Sequence, residues 1–121
     1  MPLHAKLDPA TLTPAERAVW LNNRACALLA AARPAADALA IVEEAIALRP
    51  DVPAIHHTRG MALLAQGRAD DAIAVLDGMR AAGELPDRLE AERCRELAKA
   101  WDAKGQAAYA DDYRERARRL G

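Results

Sequence analysis

The sequence predicts an all-α chain of three antiparallel helix pairs, on three observations. Alanine supplies about a quarter of the 121 residues, and it is the best helix former and a poor strand former. Aromatics reach only 3%, namely Trp20, Trp101, Tyr109 and Tyr113, with no Phe. Apolar residues recur at helical spacing between regularly placed Pro and Gly breaks. Such a core is made by closely approaching helices, with Ala at the crossings and Leu, Ile, Val and Met between them.

Residues 1–12 hold Pro2, Pro9 and no helical period, and read as an extended N-terminal arm to a domain over 13–121. Thr13-Pro14-Ala15-Glu16 is a helix start: Thr13 accepts from the backbone at Glu16, Pro14 suits the first turn, and Glu16 reaches back. The first helix, 14–31, puts Ala18, Leu21, Ala25, Leu28 and Leu29 on one face and breaks at Arg33-Pro34. The second, 35–48, carries Ala38, Leu39, Val42, Ala45 and Ile46, with Pro50 just past its end. The third begins near 51–53, carries Ile55, Gly60, Met61, Leu63 and Leu64, and closes at Gly67 in a left-handed conformation. The fourth is expected over 69–82, with Ala72, Ile73, Val75, Leu76 and Met79 inward and Gly78 in its interior as a misfit. The fifth, 87–104, carries Leu89, Cys94, Leu97, Ala98 and Trp101 and closes at Gly105; the sixth, 106–120, carries Ala110, Tyr113, Ala117 and Leu120. Short connections make successive helices antiparallel neighbours.

The helices repeat. Arg24-Ala25-Cys26-Ala27-Leu28-Leu29-Ala30 aligns with Arg59-Gly60-Met61-Ala62-Leu63-Leu64-Ala65 at an offset of 35. Ala38-Leu39-Ala40-Ile41-Val42 aligns with Ala72-Ile73-Ala74-Val75-Leu76 at an offset of 34. A weaker copy, residues 97–105, lies over 59–67 at an offset of 38. In the second unit Gly60 is followed by Leu63, then Gly67, Ala72, Leu76 and Met79; in the first, Ala25, Leu28, Ala38, Val42, Ala45 and Pro50 match. In the third the matching residues are Ala98, Trp101, Gly105, Ala110, Arg114 and Ala117. On these residues the chain resembles the tetratricopeptide repeat family, whose unit is a helix–turn–helix of about 34 residues. The resemblance covers about 14–120, with units near 18–51, 52–86 and 87–120. Met79 stands where a small residue is usual, and Arg114 where a bulky apolar one is. The resemblance implies a right-handed superhelical stack, a TPR-like α-solenoid. Stacking buries faces that one pair cannot cover alone, and the charged last helix, with Asp111, Asp112, Arg114, Glu115, Arg116, Arg118 and Arg119, suits a solvated cap.

Catalytic chemistry finds no foothold. The chain contains no serine, GxGxxG, GxxxxGK[ST], CxxC or HExxH. His56 and His57 are helix neighbours pointing about 100° apart, a poor metal chelate. Glu43-Glu44, Asp70-Asp71 and Asp111-Asp112 are adjacent in sequence and do not face one another across a cleft. Cys26 and Cys94 lie on non-adjacent pairs at positions where any small apolar residue serves. The expectation is a non-enzymatic protein with no metal and no cofactor. A net charge of −1 demands neither nucleic acid nor an anionic membrane, and no apolar run reaches a membrane span. Two cysteines and no apolar N-terminal signal core fit a reducing, cytoplasmic setting.

What remains is binding. The resemblance implies a concave face lined by the first helix of each pair: Asn22, Asn23, Cys26 and Leu29, then His57, Thr58, Met61 and Leu64, then Arg95, Lys99 and Asp102. Of these, Asn22, Asn23, Cys26, His57, Met61, Arg95 and Lys99 form the candidate peptide groove. Asn offers donors and acceptors to a backbone, Met adapts, and the cations attract carboxylates. The family's clamp for chaperone C-terminal carboxylates wants Lys and Asn where this chain has Asn22 and Cys26, so the resemblance argues against that ligand. The favoured expectation is a scaffold or adaptor holding a segment of another protein. The alternative is a self-association module, a homodimer paired through Val19 and Trp20.

Overall fold

The computed structural model describes residues 9–81 and 83–121. Six helices follow one another: α1 Pro14–Ala30, α2 Ala35–Leu48, α3 Pro53–Ala65, α4 Ala69–Gly78, α5 Asp87–Ala103 and α6 Ala107–Leu120. No strand occurs among the described residues. Of the expected arm, residues 1–8 lie outside the described part, and Pro9–Thr11 form one 3-10 turn.

Local chemistry accounts for most boundaries. At the start of α1 the Glu16 amide donates to Thr13 Oγ1 at 3.2 Å, and the Thr13 amide donates to Glu16 Oε1 at 2.9 Å, a complete capping box. The first helix of every pair ends in the same closure. Arg33 N–H donates to Leu28 O at 3.0 Å, Arg68 N–H to Leu63 O at 3.0 Å, and Gln106 N–H to Trp101 O at 2.9 Å. The residue before each donor lies at positive φ: Ala32 at 55°, Gly67 at 77° and Gly105 at 75°. These are Schellman motifs, which satisfy carbonyls that the helix end leaves free. The first carries alanine where the other two carry glycine.

The fourth helix is shorter than its pattern predicts. It ends at Gly78, and the chain turns through tighter i to i+3 bonds, from Ala81 N–H to Gly78 O and from Gly83 N–H to Arg80 O, both 3.0 Å. Residue 82, the expected end, lies outside the described part. Gly78 is the last helical residue, so its low propensity weakens the end and not the interior. Arg93 of α5 completes this end. Its Nη1 donates to Leu76 O at 3.3 Å, at the negative pole of α4. Its Nε and Nη2 donate to the two Glu90 oxygens at 2.6 and 2.9 Å. Arg93 is 4% exposed, so this fork supplies the partner that a buried cation requires.

Packing joins α1 to α2, α3 to α4 and α5 to α6, and then each pair to the next through α2–α3 and α4–α5. The first helices also meet, α1 with α3 and α3 with α5, whereas the second helices make no comparable contact. The six helices therefore form an all-α, TPR-like solenoid with the first helices along one flank. Small residues set the spacing. A Cβ on Gly60 would stand 2.7 Å from Leu76 Cδ2 and 2.8 Å from its Cγ, so α3 and α4 touch through the missing side chain. One core group holds Ala18, Leu21, Ala25, Ala38, Val42, Ile55 and Leu63; a second holds Ile73, Leu76, Met79, Leu97 and Ala100. Leu64 packs against both.

Candidate functional site

The flank shared by the first helices is hollowed into a cleft of about 420 Å³. The third helix makes its floor with Ala54, His57, Thr58 and Met61, spaced by three or four residues on one helical face. Asn22 and Cys26 of α1 close one side; Leu89, Glu92, Arg95 and Glu96 of α5 close the other. The repeat offsets relate these walls: Asn22 and Cys26 align with His57 and Met61 at 35, and Ala54, His57 and Thr58 with Glu92, Arg95 and Glu96 at 38.

Of the seven groove residues expected from sequence, the cleft gathers Asn22, Cys26, His57, Met61 and Arg95. Asn23 lies elsewhere, in a separate hollow with Leu12, Glu16, Val19 and Trp20. The reason is positional. The aligned residues Thr58 and Glu96 face the preceding first helix, but no such helix precedes α1 in the stack. Lys99 is not part of the cleft lining; it is solvent-exposed and pairs with Glu96 at 3.1 Å. Leu29 and Leu64 are half-buried against the core, and Asp102 accepts from Arg114 at 2.5 Å on the surface. Sequence reasoning passed over Ala54, Leu89, Glu92 and Glu96. The offset of 38, carried forward from Thr58, would have found Glu96, and from Ala54, one turn before Thr58, Glu92.

The polar groups of the cleft are unevenly satisfied. Thr58 Oγ1 donates to Ala54 O at 3.2 Å, so the Cys26 thiol, 3.4 Å away, is the donor to Thr58 Oγ1. His57 is 8% exposed, and its Nε2 has no hydrogen-bond partner. Asn22 Oδ1 is likewise buried and unpartnered. The adjacent His56 behaves differently: its Nε2 donates to Pro50 O at 2.7 Å. Glu92 meets Arg88 at 3.6 Å, and Arg88 is almost wholly exposed. Arg95 turns toward the end of α6, where a Cβ on Gly121 would stand 3.7 Å from its Nη1. Cys26 and Cys94 are both free; Cys94 is fully buried, and desolvation pushes its thiol pKa up. Among the described residues no group of three or more His, Cys, Asp or Glu is arranged to hold a metal, and no helix is long and apolar enough to cross a membrane.

What the arrangement offers is a shallow polar–apolar trough with buried polar atoms that lack partners. A family model described as tetratricopeptide repeat matches residues 28–89, just over half of the chain, from the last turn of α1 to the start of α5. No curated protein and no solved structure matches the chain significantly.

Proposed function

The chain belongs to the tetratricopeptide repeat family, and from that premise we propose that it is an adaptor that holds a polypeptide segment of a partner in the cleft between α1, α3 and α5. Repeats of this family generally mediate protein–protein interaction and are typically non-catalytic. The observation that carries the reading is the pair of buried, unpartnered polar atoms, Asn22 Oδ1 and His57 Nε2, on residues that line the cleft. A buried polar atom without a partner is costly, and a bound peptide supplies hydrogen-bonding groups. Met61 and Leu89 give the same segment apolar contact. The test is selection from a displayed random peptide library, repeated with Met61→Trp, which fills the floor with a bulky uncharged ring. Selected peptides bind the parent chain and lose binding to the variant, whose circular dichroism is unchanged. Peptides that bind both equally remove the cleft from the function.

A second reading, self-association, is favoured by the hollow of Leu12, Glu16, Val19, Trp20 and Asn23, where Val19 is 56% exposed. The opposite end, α6, is densely charged, so two copies pair most readily α1 to α1 about a two-fold axis. Light scattering on a sizing column checks it: a dimer that Val19→Asp converts to monomer supports pairing, and a monomer at all concentrations removes it.

A further inference from the structure

We infer that the cleft is selective for a cationic side chain, the guanidinium or ammonium of an Arg or Lys in the bound segment. This rests on the peptide-holding reading above and adds the chemistry of the occupant. The two unpartnered atoms share one role that a single partner can meet, that of acceptor. Asn22 Oδ1 is an amide oxygen, and His57 Nε2 accepts when the ring carries its proton on Nδ1. A group that satisfies both is a donor. Two carboxylates, Glu92 and Glu96, line the opposite wall.

Their present partners hold them unequally. Arg88 is almost wholly exposed, and its 3.6 Å pair with Glu92 is a surface pair of the kind that contributes little; Glu96 is largely buried and held by Lys99 at 3.1 Å, so Glu92 is the freer carboxylate. Arg95, the cation of that wall, has its guanidinium beside Gly121, at the negative end of α6. The cleft thus presents neutral acceptors on α1 and the floor and acidic oxygens on the α5 wall, with Ala54, Met61 and Leu89 to receive the aliphatic stem of a long basic residue. An acidic peptide meets the reverse, carboxylates facing carboxylates.

The experiment uses the full chain and peptides selected from a displayed random library, each synthesised as three probes. One keeps its basic residue, one carries the neutral citrulline or acetyl-lysine there, and one carries Glu. Binding is read by fluorescence anisotropy, and contact by the nitrogen resonances of the His57 ring and Asn22 amide. The expected result is that neutralisation weakens binding about tenfold, that Glu weakens it further, and that only the cationic probe shifts His57 and Asn22. In the Glu92→Gln/Glu96→Gln chain the preference for the cation shrinks to about threefold or less. Peptides that lose binding with Met61→Trp yet show no preference for a cation overturn this inference and leave the peptide cleft standing. The failure of any peptide to depend on Met61 overturns both.

Discussion

Arg93 and Glu90 show what one buried charge demands. Glu90 sits below its ordinary carboxylate value of 4.5 because it accepts hydrogen bonds from Arg93, with the charges of Arg93, Arg80 and Arg116 adding and burial opposing. A carboxylate held low contributes stability that is complete above its unfolded value and disappears as pH falls through its folded one. Glu90→Gln therefore lowers stability at pH 7 by about 2 kcal/mol in urea unfolding, and the gap to the parent closes as pH falls below the ordinary value. A gap unchanged in acid would place the cost in packing. The two thiols make a second test. Cys94 is buried and its thiol is pushed up, so its thiolate is scarce and shielded; Cys26 lines the cleft. In the folded chain a thiol reagent modifies Cys26 first, Cys94 reacts only on unfolding, and a cleft-bound peptide slows Cys26 alone.

At the scale of the element, turns and crossings hold the solenoid. Ala32 occupies a left-handed position that Gly67 and Gly105 fill in the other two pairs. Alanine there is strained by about 1 kcal/mol, partly offset by the greater freedom that glycine has when unfolded. Ala32→Gly is expected to raise stability by about 0.5 kcal/mol, and Gly67→Ala to lower it by about 1 kcal/mol, both by thermal or urea unfolding. The crossing at Gly60 is stricter. Leu76 is fully buried beside it, so Gly60→Val must part α3 from α4 and costs about 2 kcal/mol or more. Leu76→Ala in the same chain opens room and makes the double variant less unstable than the two single costs added together.

Across the whole molecule, stability follows neighbours. The third helix packs against α1, α2, α4 and α5, whereas the principal contact of α6 is α5 alone. Amide hydrogen exchange is accordingly slowest in α3 and faster in α6, as in a stack whose ends open first. Uniform protection would mean one cooperative block. The same arrangement puts the cleft at the best-supported place, since its floor is α3.

Helix positions were legible in the chain because their causes are local. Thr13 and Glu16 meet three residues apart, Pro50 and Pro86 interrupt, Gly67 and Gly105 reverse the backbone, and Ala and Leu recur on one face. Even the misjudged end of α4 has a local sign, Gly78, although the group that completes that end, Arg93, arrives from another helix. The cleft was legible only as far as the repeat carried it. The offset of 35 linked Asn22 and Cys26 to His57 and Met61, but nothing within one helix told Asn23 from Asn22. Adjacent helical residues point about 100° apart, and which of them meets the hollow depends on how neighbouring hairpins lean together. The residues by themselves determined the helices, their pairing and their repetition, through short-range sterics and apolar periodicity. Only the stacking of the pairs decided that Glu92 and Glu96 face Asn22, that Asn23 turns outward, and that His57 is buried without a partner, because those facts belong to contacts between chain segments more than thirty residues apart.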